Sequence, residues 1–266
     1  SVVGNILMED ERIALYTFTG STEVGLRLKQ KTGLRKLILE LGNNSPVIVD
    51  KAADLEKASK AIAAQSFAYA GQVCIAVQRI FVHQEIKDVF LPKLLSEIKA
   101  LRVGDPSDPL TDVGPMIDEK EAKRAEEWIH DAVENGAAIA YGGSRQGALL
   151  EPTVLTSTTS SMKVVCEEIF APVVTITEYE NLDDCLQEIN QSRYGLQGAI
   201  FTQNIDIAFY AAKHMDVGGM MVNDASSYRV DLMPYGGVKN SGSGKEGPKY
   251  TMKEMTNEKL IVLNLD

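Results

Sequence analysis

Short runs of β-branched and apolar residues alternate along this chain with longer segments of helical periodicity. The short runs lie at residues 37–39, 47–49, 80–82, 173–176, 199–201 and 220–222. From Glu85 to Leu101, apolar residues recur at steps of one, three and four, which places them on one face of a helix. Similar helices are predicted for residues 54–70, 119–135, 182–191 and 205–215. This alternation predicts an α/β fold in which helices flank a largely parallel sheet.

Length and composition narrow the class of protein. A chain of 266 residues is large enough for one or two domains. Apolar residues make up 44% and charged residues 24%, as in an ordinary globular protein, and no apolar run reaches the ~18 residues of a membrane span. The formal net charge of −10 disfavours nucleic acid, because such binding depends on clustered Lys and Arg. We therefore expect no nucleic-acid partner and no membrane partner.

The number and spacing of cysteines and histidines indicate the redox compartment of the protein and whether it has a metal site. The three cysteines, Cys74, Cys166 and Cys185, form no CxxC pair and are odd in number, which disfavours a disulfide framework and favours a reducing cytoplasm. The three histidines are widely separated and have no metal-ligand spacing. We expect a cytoplasmic protein without a metal site.

One thiol and one carboxylate occupy settings that suit catalysis. Cys74 follows Gly71, where the backbone can turn sharply, and a thiolate there could attack a carbonyl carbon. Glu40 ends an apolar run, and a carboxylate that is partly desolvated can act as a general base. The residues alone leave a second interpretation open for each: an inert buried thiol and a solvated strand end.

Two glycine-containing segments could hold an anion. Gly20 and Ser21 precede a predicted helix at residues 22–31, whose N-terminus favours negative charge, although Ser21 could also be a plain helix cap. Residues 242–247 satisfy the G-x-G-x-x-G pattern but have no clear strand before them. We therefore do not predict nucleotide binding at residues 242–247.

Four motifs together resemble the NAD(P)-dependent aldehyde dehydrogenase superfamily, and the resemblance covers nearly the whole chain. They are Phe18-Thr19-Gly20-Ser21, Leu39-Glu40-Leu41-Gly42, Gly71-Gln72-Val73-Cys74 and Glu167-Glu168-Ile169-Phe170. Enzymes of that family are much longer, so the chain resembles their C-terminal half. The resemblance implies a remnant of the dinucleotide-binding domain at residues 1–42, a catalytic domain at 43–240, and a loop with a terminal oligomerisation strand at 241–266.

The resemblance also implies catalytic roles. Cys74 would be the nucleophile that forms a thiohemiacetal and then a thioester, and its backbone N–H would be an oxyanion donor. Glu40 would activate the water that hydrolyses the thioester, giving a free carboxylic acid. One departure affects this region: the family usually has a second glycine after Gly42, whereas this chain has Asn43.

Cofactor and substrate contacts follow from the same resemblance. The cofactor would be NAD or NADP, held by residues Gly20, Ser21, Leu41, Glu168 and Phe170. The substrate contacts would be Arg229 and Asn223, and a guanidinium can bind an anionic group bidentately. Arg229 could instead pair with Asp231 on the surface. Within the superfamily the motifs are similar to lactaldehyde dehydrogenase-like members, which implies a small polar aldehyde and leaves an anionic one open.

The apolar alternation at residues 260–263 would form a strand that pairs with another subunit, so the resemblance implies a homodimer or homotetramer. The expected function is oxidation of a small aldehyde to its acid with NAD(P), by a chain that needs the missing N-terminal half. Two alternatives remain open. The chain could be an assembly fragment without dehydrogenase activity, or a cofactor-free thiol esterase that uses Cys74 and Glu40.

Overall fold

The computed structural model describes residues 2–265 and contains two main sheets. The strands are β1 Leu15–Thr19, β2 Lys36–Glu40, β3 Pro46–Val49, β4 Arg79–His83, β5 Ala138–Tyr141, β6 Arg145–Gln146, β7 Leu149–Leu150, β8 Thr153–Thr156, β9 Val173–Tyr179, β10 Gln197–Phe201, β11 Gly219–Val222 and β12 Gly242–Ser243. The large sheet has the order β11-β10-β3-β4-β9-β8-β5, and its neighbours are parallel except for β5 and β8. The small sheet has the order β1-β2-β12, with β12 antiparallel to β2.

Helices connect the strands and cover the large sheet. They are α1 Val2–Glu9, α2 Thr22–Thr32, α3 Leu55–Phe67, α4 Lys87–Ala100, α5 Glu119–Glu134, α6 Lys163–Cys166, α7 Leu182–Asn190, α8 Ile205–His214 and α9 Pro248–Glu254. Several begin at a side chain that accepts a hydrogen bond from a first-turn amide: Asp54 for α3, Asp118 for α5, Asn181 for α7 and Asn204 for α8. The predicted α/β fold with a largely parallel, helix-flanked sheet is confirmed.

The core lies on both faces of the large sheet because its central strands are apolar at every position. In β3, Val47 and Val49 face one side and pack with residues of α3, α4 and α5. Ile48 faces the other side and packs with residues of α7 and α8. Successive side chains of a strand point to opposite faces, so a strand buried on both sides is apolar throughout.

The two sheets meet at the segment that joins β2 to β3. Residues 41–45 lead from the small sheet into the large one, and they are all buried. The predicted division between residues 42 and 43 falls in this segment and remains a prediction. Residues 242–243 return to the small sheet, where they pair with Glu40 and Leu39 of β2. Glu40 therefore ends a strand at the junction between the sheets.

The last residues have no regular secondary structure in this single chain. Residues 257–265 form neither helix nor strand, and Leu260, Ile261, Val262 and Leu263 are each at least 72% exposed. The expected strand that pairs with another subunit stays a prediction. Within residues 2–265, no helix has the length and apolar character needed to cross a membrane.

Candidate active site

The loop that carries Cys74 begins with three consecutive residues in the left-handed region. Tyr69, Ala70 and Gly71 have φ values of 52°, 55° and 69°, and this reversal ends the helical run that starts with α3. A Cβ at position 71 would collide with the carbonyl oxygen of Ala171, so the close approach requires glycine. The loop turns away from α3 and brings Cys74 to the junction of the two sheets.

The Cys74 thiol is largely enclosed and has one polar neighbour. Its Sγ lies 3.1 Å from Oη of Tyr235, and it packs beside the cluster of Ile75, Leu196 and Tyr235. Burial raises the pKa of the Cys74 thiol, and the negative charges of Glu168 and Glu40 raise it further. The hydrogen bond with Tyr235 lowers it. The surroundings of the thiol therefore disfavour the thiolate, whereas the hydrogen bond with Tyr235 favours it.

Glu40 is a buried carboxyl group without a hydrogen-bond partner. It is 5% exposed, and neither carboxylate oxygen has a partner among the described residues. Burial, followed by the charge of Glu246, raises its pKa to about 8, while Lys245 and Arg229 act in the opposite direction. Near neutral pH this group exchanges a proton readily, which is the property a general base requires.

The segment Tyr235–Gly236 contacts both of these groups. Tyr235 reaches the Cys74 sulfur through its hydroxyl, and a Cβ on Gly236 would lie 2.9 Å from Oε1 of Glu40. The thiol and the carboxylate thus both lie against this one short stretch of backbone. The structure brings together the two residues that the sequence predicted as catalytic.

Glu168 and Asn43 form the adjoining part of the site. Oε1 of Glu168 accepts a hydrogen bond of 2.8 Å from the backbone N–H of Asn43, and burial raises the pKa of Glu168 to about 7. The Asn43 side chain donates to Oγ of Ser45 at 2.7 Å and accepts from the amide of Leu196 at 3.3 Å. The departure from glycine at this position therefore adds contacts between the junction segment and β10. A Cβ at Gly42 would lie 2.4 Å from the Glu168 carboxylate, so a larger residue there would displace that side chain.

The N-terminus of α2 is open to an anion. Ser21 caps the helix by accepting from the amide of Val24 at 3.4 Å, and the amide of Gly20 donates to the carbonyl of Glu40 at 3.0 Å. The amides of Thr22 and Glu23 donate to no residue among those described. Free first-turn amides favour a phosphate group, so this end fits the diphosphate of a dinucleotide.

The other expected cofactor contacts lie nearer the junction. Leu41 is buried, its side chain packs against Gly25 of α2, and its amide donates to the carbonyl of Ser241 at 2.9 Å. Phe170 is 40% exposed with φ of 48°, so its ring is accessible beside Glu168. Gly20 is bonded to Glu40 and Glu168 to Asn43, so both border the segment that joins the two sheets. The cofactor roles of Gly20, Ser21, Leu41, Glu168 and Phe170 remain predictions.

Arg229 faces the site. Its Nη2 donates to Oε2 of Glu246 at 3.0 Å, and its guanidinium carbon lies 4.0 Å from the centre of the Tyr235 ring. Its charge is close enough to Glu40 to lower the pKa of that carboxyl. The alternative pairing with Asp231 is not formed among the described residues. The structure is compatible with a guanidinium that meets the substrate.

Asn223 is placed differently. Its side chain forms two hydrogen bonds with the backbone of Thr202, accepting from the amide and donating to the carbonyl, each at 2.9 Å. It makes no hydrogen bond with Cys74 among the described residues. These contacts join the ends of β10 and β11, and the predicted substrate role of Asn223 has no support from this geometry.

Three supporting residues were not singled out from the sequence. Tyr235 approaches the site from the loop after β11 and Glu246 from the segment after β12. Ser226 of the loop after β11 donates through Oγ to the carbonyl of Ile75 at 2.9 Å. Tyr235 lies in the Met-Pro-Tyr-Gly-Gly motif that also resembles the family. Its spacing to Cys74 gave no signal of their contact. Within residues 2–265, no group of three or more His, Cys, Asp or Glu could hold a metal ion.

Known proteins resemble this chain in both sequence and structure. The aldehyde dehydrogenase family model matches residues 1–261. The 3-sulfolactaldehyde dehydrogenase of Priestia aryabhattai is 54% identical over 263 residues, which cover 99% of this chain and 55% of that protein. The lactaldehyde dehydrogenase of Methanocaldococcus jannaschii is 42% identical over 264 residues, covering 99% and 56%. The chain spans about half the length of these relatives.

A solved structure gives the same result for the fold. The NADP-dependent glyceraldehyde-3-phosphate dehydrogenase from Bacillus halodurans, complexed with NADP, matches with a TM-score of 0.95 and 39% identity. The match covers 100% of this chain and 56% of that one. The resemblance expected from the four motifs is confirmed over the whole described region. The chain belongs to the aldehyde dehydrogenase family.

Proposed function

We propose that this chain carries the nucleophile and the base of an NAD(P)-dependent aldehyde dehydrogenase that oxidises a small polar aldehyde to its carboxylic acid. The observation that carries the proposal is the meeting of an enclosed thiol, Cys74, and a buried unpaired carboxyl, Glu40, at the Tyr235–Gly236 segment. Glu40 forms no hydrogen bond through its side chain among the described residues, so that carboxyl is available to a substrate or a water molecule.

Cys74 begins the chemistry. Its thiolate forms a carbon–sulfur bond with the aldehyde carbon, and the π electron pair of the carbonyl moves to oxygen. Bound NAD(P) supplies the acceptor for the hydride that leaves this carbon during its oxidation. The oxidised carbon remains attached to Cys74 as a thioester.

Glu40 completes the reaction. Its ionised carboxylate removes a proton from water, the water oxygen bonds to the thioester carbon, and the sulfur leaves with its electron pair. The pKa of about 8 means that ionised Glu40 becomes more abundant as pH rises through that value. An unpaired carboxylate is free to orient water, which supports hydrolysis to a free acid rather than transfer to another thiol.

The cofactor would lie along the side of the site that Ser21 and Phe170 border. The free amides of Thr22 and Glu23 would hold the diphosphate, and Glu168 would bind the ribose hydroxyls near the nicotinamide. Glu168 currently accepts from the amide of Asn43, so its carboxylate is already oriented toward the junction segment.

The substrate class follows from Arg229. The relative from Priestia aryabhattai is named for 3-sulfolactaldehyde and the one from Methanocaldococcus jannaschii for lactaldehyde. A guanidinium stacked on the ring of Tyr235, whose hydroxyl reaches the thiol, would favour an aldehyde with an anionic group over a neutral one. Glu246 holds this guanidinium, which would otherwise move freely on its long side chain.

The test separates the thiol chemistry from dehydrogenation. The wild-type chain is mixed with an activated aryl ester and, separately, with 3-sulfolactaldehyde or lactaldehyde and NAD or NADP. Ester hydrolysis and NAD(P)H absorbance are followed, with Cys74→Ala as the test variant and Cys166→Ala as the matched control. We expect ester hydrolysis to fall to background in Cys74→Ala and to remain in Cys166→Ala.

Each outcome separates the alternatives. NAD(P)H formation that depends on Cys74 supports the dehydrogenase. Ester hydrolysis without NAD(P)H supports a thiol esterase by itself and a dehydrogenase only when more of the protein is present. If both assays are negative while the chain is folded by circular dichroism, the proposal fails and an assembly role is favoured.

A further inference from the structure

A phenol hydroxyl lies at hydrogen-bond distance from the sulfur of the proposed nucleophile. Tyr235 is 4% exposed, and its Oη is 3.1 Å from Sγ of Cys74. The two residues are 161 positions apart in the sequence, so only the folded chain brings them together. A buried hydroxyl normally has a hydrogen-bond partner, and here that partner is the reactive thiol.

The backbone fixes the position of Tyr235. Its amide donates to the carbonyl of Glu246 at 3.2 Å, and the amide of Glu246 donates back to the carbonyl of Tyr235 at 2.6 Å. The next residue, Gly236, lies against Glu40. This pair of bonds leaves the phenol little freedom to move away from the sulfur.

The ring of Tyr235 is also held on one face. The guanidinium of Arg229 lies 4.0 Å from the ring centre, and Arg229 is itself bonded to Glu246. Such a stacked cation stabilises an aromatic ring in place. Glu246 therefore fixes Tyr235 twice, through its backbone and through Arg229.

The surroundings of Cys74 disfavour its thiolate, and the Tyr235 hydroxyl can offset this effect. Burial and the nearby carboxylates Glu168 and Glu40 all raise the pKa of the thiol, which opposes formation of the thiolate. Burial also raises the pKa of Tyr235, so its phenol keeps its proton and remains a donor. Phenylalanine would have the same shape and no donor.

We propose that Tyr235 is a catalytic residue whose hydroxyl donates a hydrogen bond to the Cys74 thiolate, stabilises that ionised form and fixes the direction of the sulfur. The inference rests on the proposed role of Cys74 as nucleophile. It adds a neutral donor beside a thiol on which the neighbouring charges, Glu168 and Glu40, are both negative.

The test measures thiolate formation without cofactor. Iodoacetamide alkylates the wild-type chain, Tyr235→Phe and the control Tyr194→Phe over a range of pH, and mass spectrometry follows the Cys74 peptide. In this reaction the sulfur bonds to the methylene carbon and iodide leaves. Tyr194 is a suitable control because it is 5% exposed and its hydroxyl contacts Arg193 rather than a thiol.

We expect the midpoint of the alkylation profile to rise by about one pH unit in Tyr235→Phe, since one hydrogen bond to a charged group is worth about a tenfold change. Tyr194→Phe should keep the wild-type midpoint. A Tyr235→Phe profile that coincides with the wild-type profile would overturn the inference. If Cys74 of the wild type reacts no faster than Cys166 at every pH, the nucleophile assignment fails instead.

A second measurement covers the case in which Tyr235→Phe does not fold. Alkylation of Cys74 in the wild-type chain removes the thiolate that accepts from Tyr235. The tyrosine doublet of the ultraviolet resonance Raman spectrum reports phenol hydrogen bonding and should then change. The same treatment of Cys74→Ala should leave the doublet unchanged, and an unchanged doublet in the alkylated wild type contradicts the inference.

Discussion

Glu40 is buried without the contacts that usually replace its hydrogen bonds to water. A carboxylate that loses water normally gains hydrogen bonds or a neighbouring cation in return. Here both oxygens lack a partner among the described residues, and the nearest charges are of both signs. Burial of this kind costs free energy whenever the group is ionised. A base that is unstable in its charged form is also a base that takes a proton from water readily.

The stability of the protein should therefore depend on the ionisation of Glu40. Its pKa in the folded protein, about 8, lies above the ordinary value of 4.5. Between these values the folded state binds more protons, so the free energy of unfolding is largest below the lower value and falls as pH rises toward 8. Glu40→Gln removes this dependence. Between about pH 5 and about pH 9 the variant should gain on the order of 2 kcal/mol relative to wild type, after allowance for solvent screening.

Urea unfolding at the two pH values measures this gain. Glu254→Gln, which changes a partly exposed carboxylate of α9, is the control and should follow the wild type. If Glu40→Gln and wild type differ by the same amount at both pH values, Glu40 does not titrate in this range.

The same variant should lower Cys74-dependent ester hydrolysis by about 100-fold, as expected for loss of a general base.

Arg229 should discriminate between acyl groups by charge. Arg229→Gln is expected to lower the hydrolysis of an aryl hemisuccinate by about 100-fold and of the matched aryl butyrate by less than about 3-fold, because only the first carries an anion for the guanidinium. The measurement is kcat/KM for both esters. Arg102→Gln, a change at an exposed arginine, is the control. Equal losses for the two esters would mean that Arg229 acts on the site and not on the substrate charge.

The sequence predicted the reacting groups better than the residues that surround them. Cys74 and Glu40 lie in short motifs whose residue types and order indicate their chemistry. Tyr235 and Glu246 reach the site because the chain after β11, which includes β12, folds back against β2 and the Cys74 loop, and no local pattern encodes these contacts. No local pattern indicates the two bonds of Asn223 to Thr202, and its substrate contact stays a prediction.

At the scale of elements, left-handed backbone conformations end α3 and aim the Cys74 loop. Two of the three residues involved, Tyr69 and Ala70, are not glycine, and each such conformation costs roughly 1–2 kcal/mol. The packing of this loop against the segment that contains Ala171 must offset that cost. Gly71 is where the two segments come closest.

Gly71→Ala should therefore destabilise the protein and disturb the thiol. The added methyl would collide with the carbonyl oxygen of Ala171 in a backbone conformation of φ 69°. We expect a loss of about 3 kcal/mol or more in the free energy of unfolding. Gly147→Ala, with φ of 60° and no atom within 4 Å of the added carbon, should lose only about 1 kcal/mol.

Urea unfolding compares the two glycine variants, and iodoacetamide reports the Cys74 environment in each. Similar losses for Gly71→Ala and Gly147→Ala would show that the close approach to Ala171 is relieved by a small movement. Retention of wild-type Cys74 reactivity in Gly71→Ala would show that the loop tolerates that movement.

Among the strands of residues 2–265, apolar periodicity predicted six and missed six, most of them short or exposed, although the missed strand β8 is largely buried. The six predicted runs correspond to β2, β3, β4, β9, β10 and β11. The strands that were not predicted include β6, β7 and β12, each of two residues, and β5, whose side chains are all at least partly exposed. Short or exposed strands depend on pairing rather than on their own pattern. The helix predicted for residues 54–70 ends at Phe67 in the structure. The prediction was too long because nothing in the sequence indicates the left-handed turn that follows.

At the scale of the whole molecule, the site depends on the junction of two sheets. Glu40 ends a strand of the small sheet, and the Cys74 loop precedes β4 of the large sheet. The loop after β11 connects them: it bonds to Ile75 near the thiol, and residues 242–243 then pair with β2. Any change in the angle between the sheets would alter the distance between the proposed base and nucleophile.

The exposed C-terminal segment leads to a prediction about association. Leu260, Ile261, Val262 and Leu263 are exposed in the single chain, and a continuous apolar run without a strand partner favours pairing with another copy. We predict a dimer or tetramer in solution, and Ile261→Asp with Leu263→Asp should shift it toward monomer, because buried carboxylates oppose the contact. Sedimentation velocity measures the change. The control, Leu34→Asp with Leu110→Asp, alters two other exposed leucines and should keep the wild-type assembly. A wild-type chain that sediments as a monomer at every concentration would contradict the prediction.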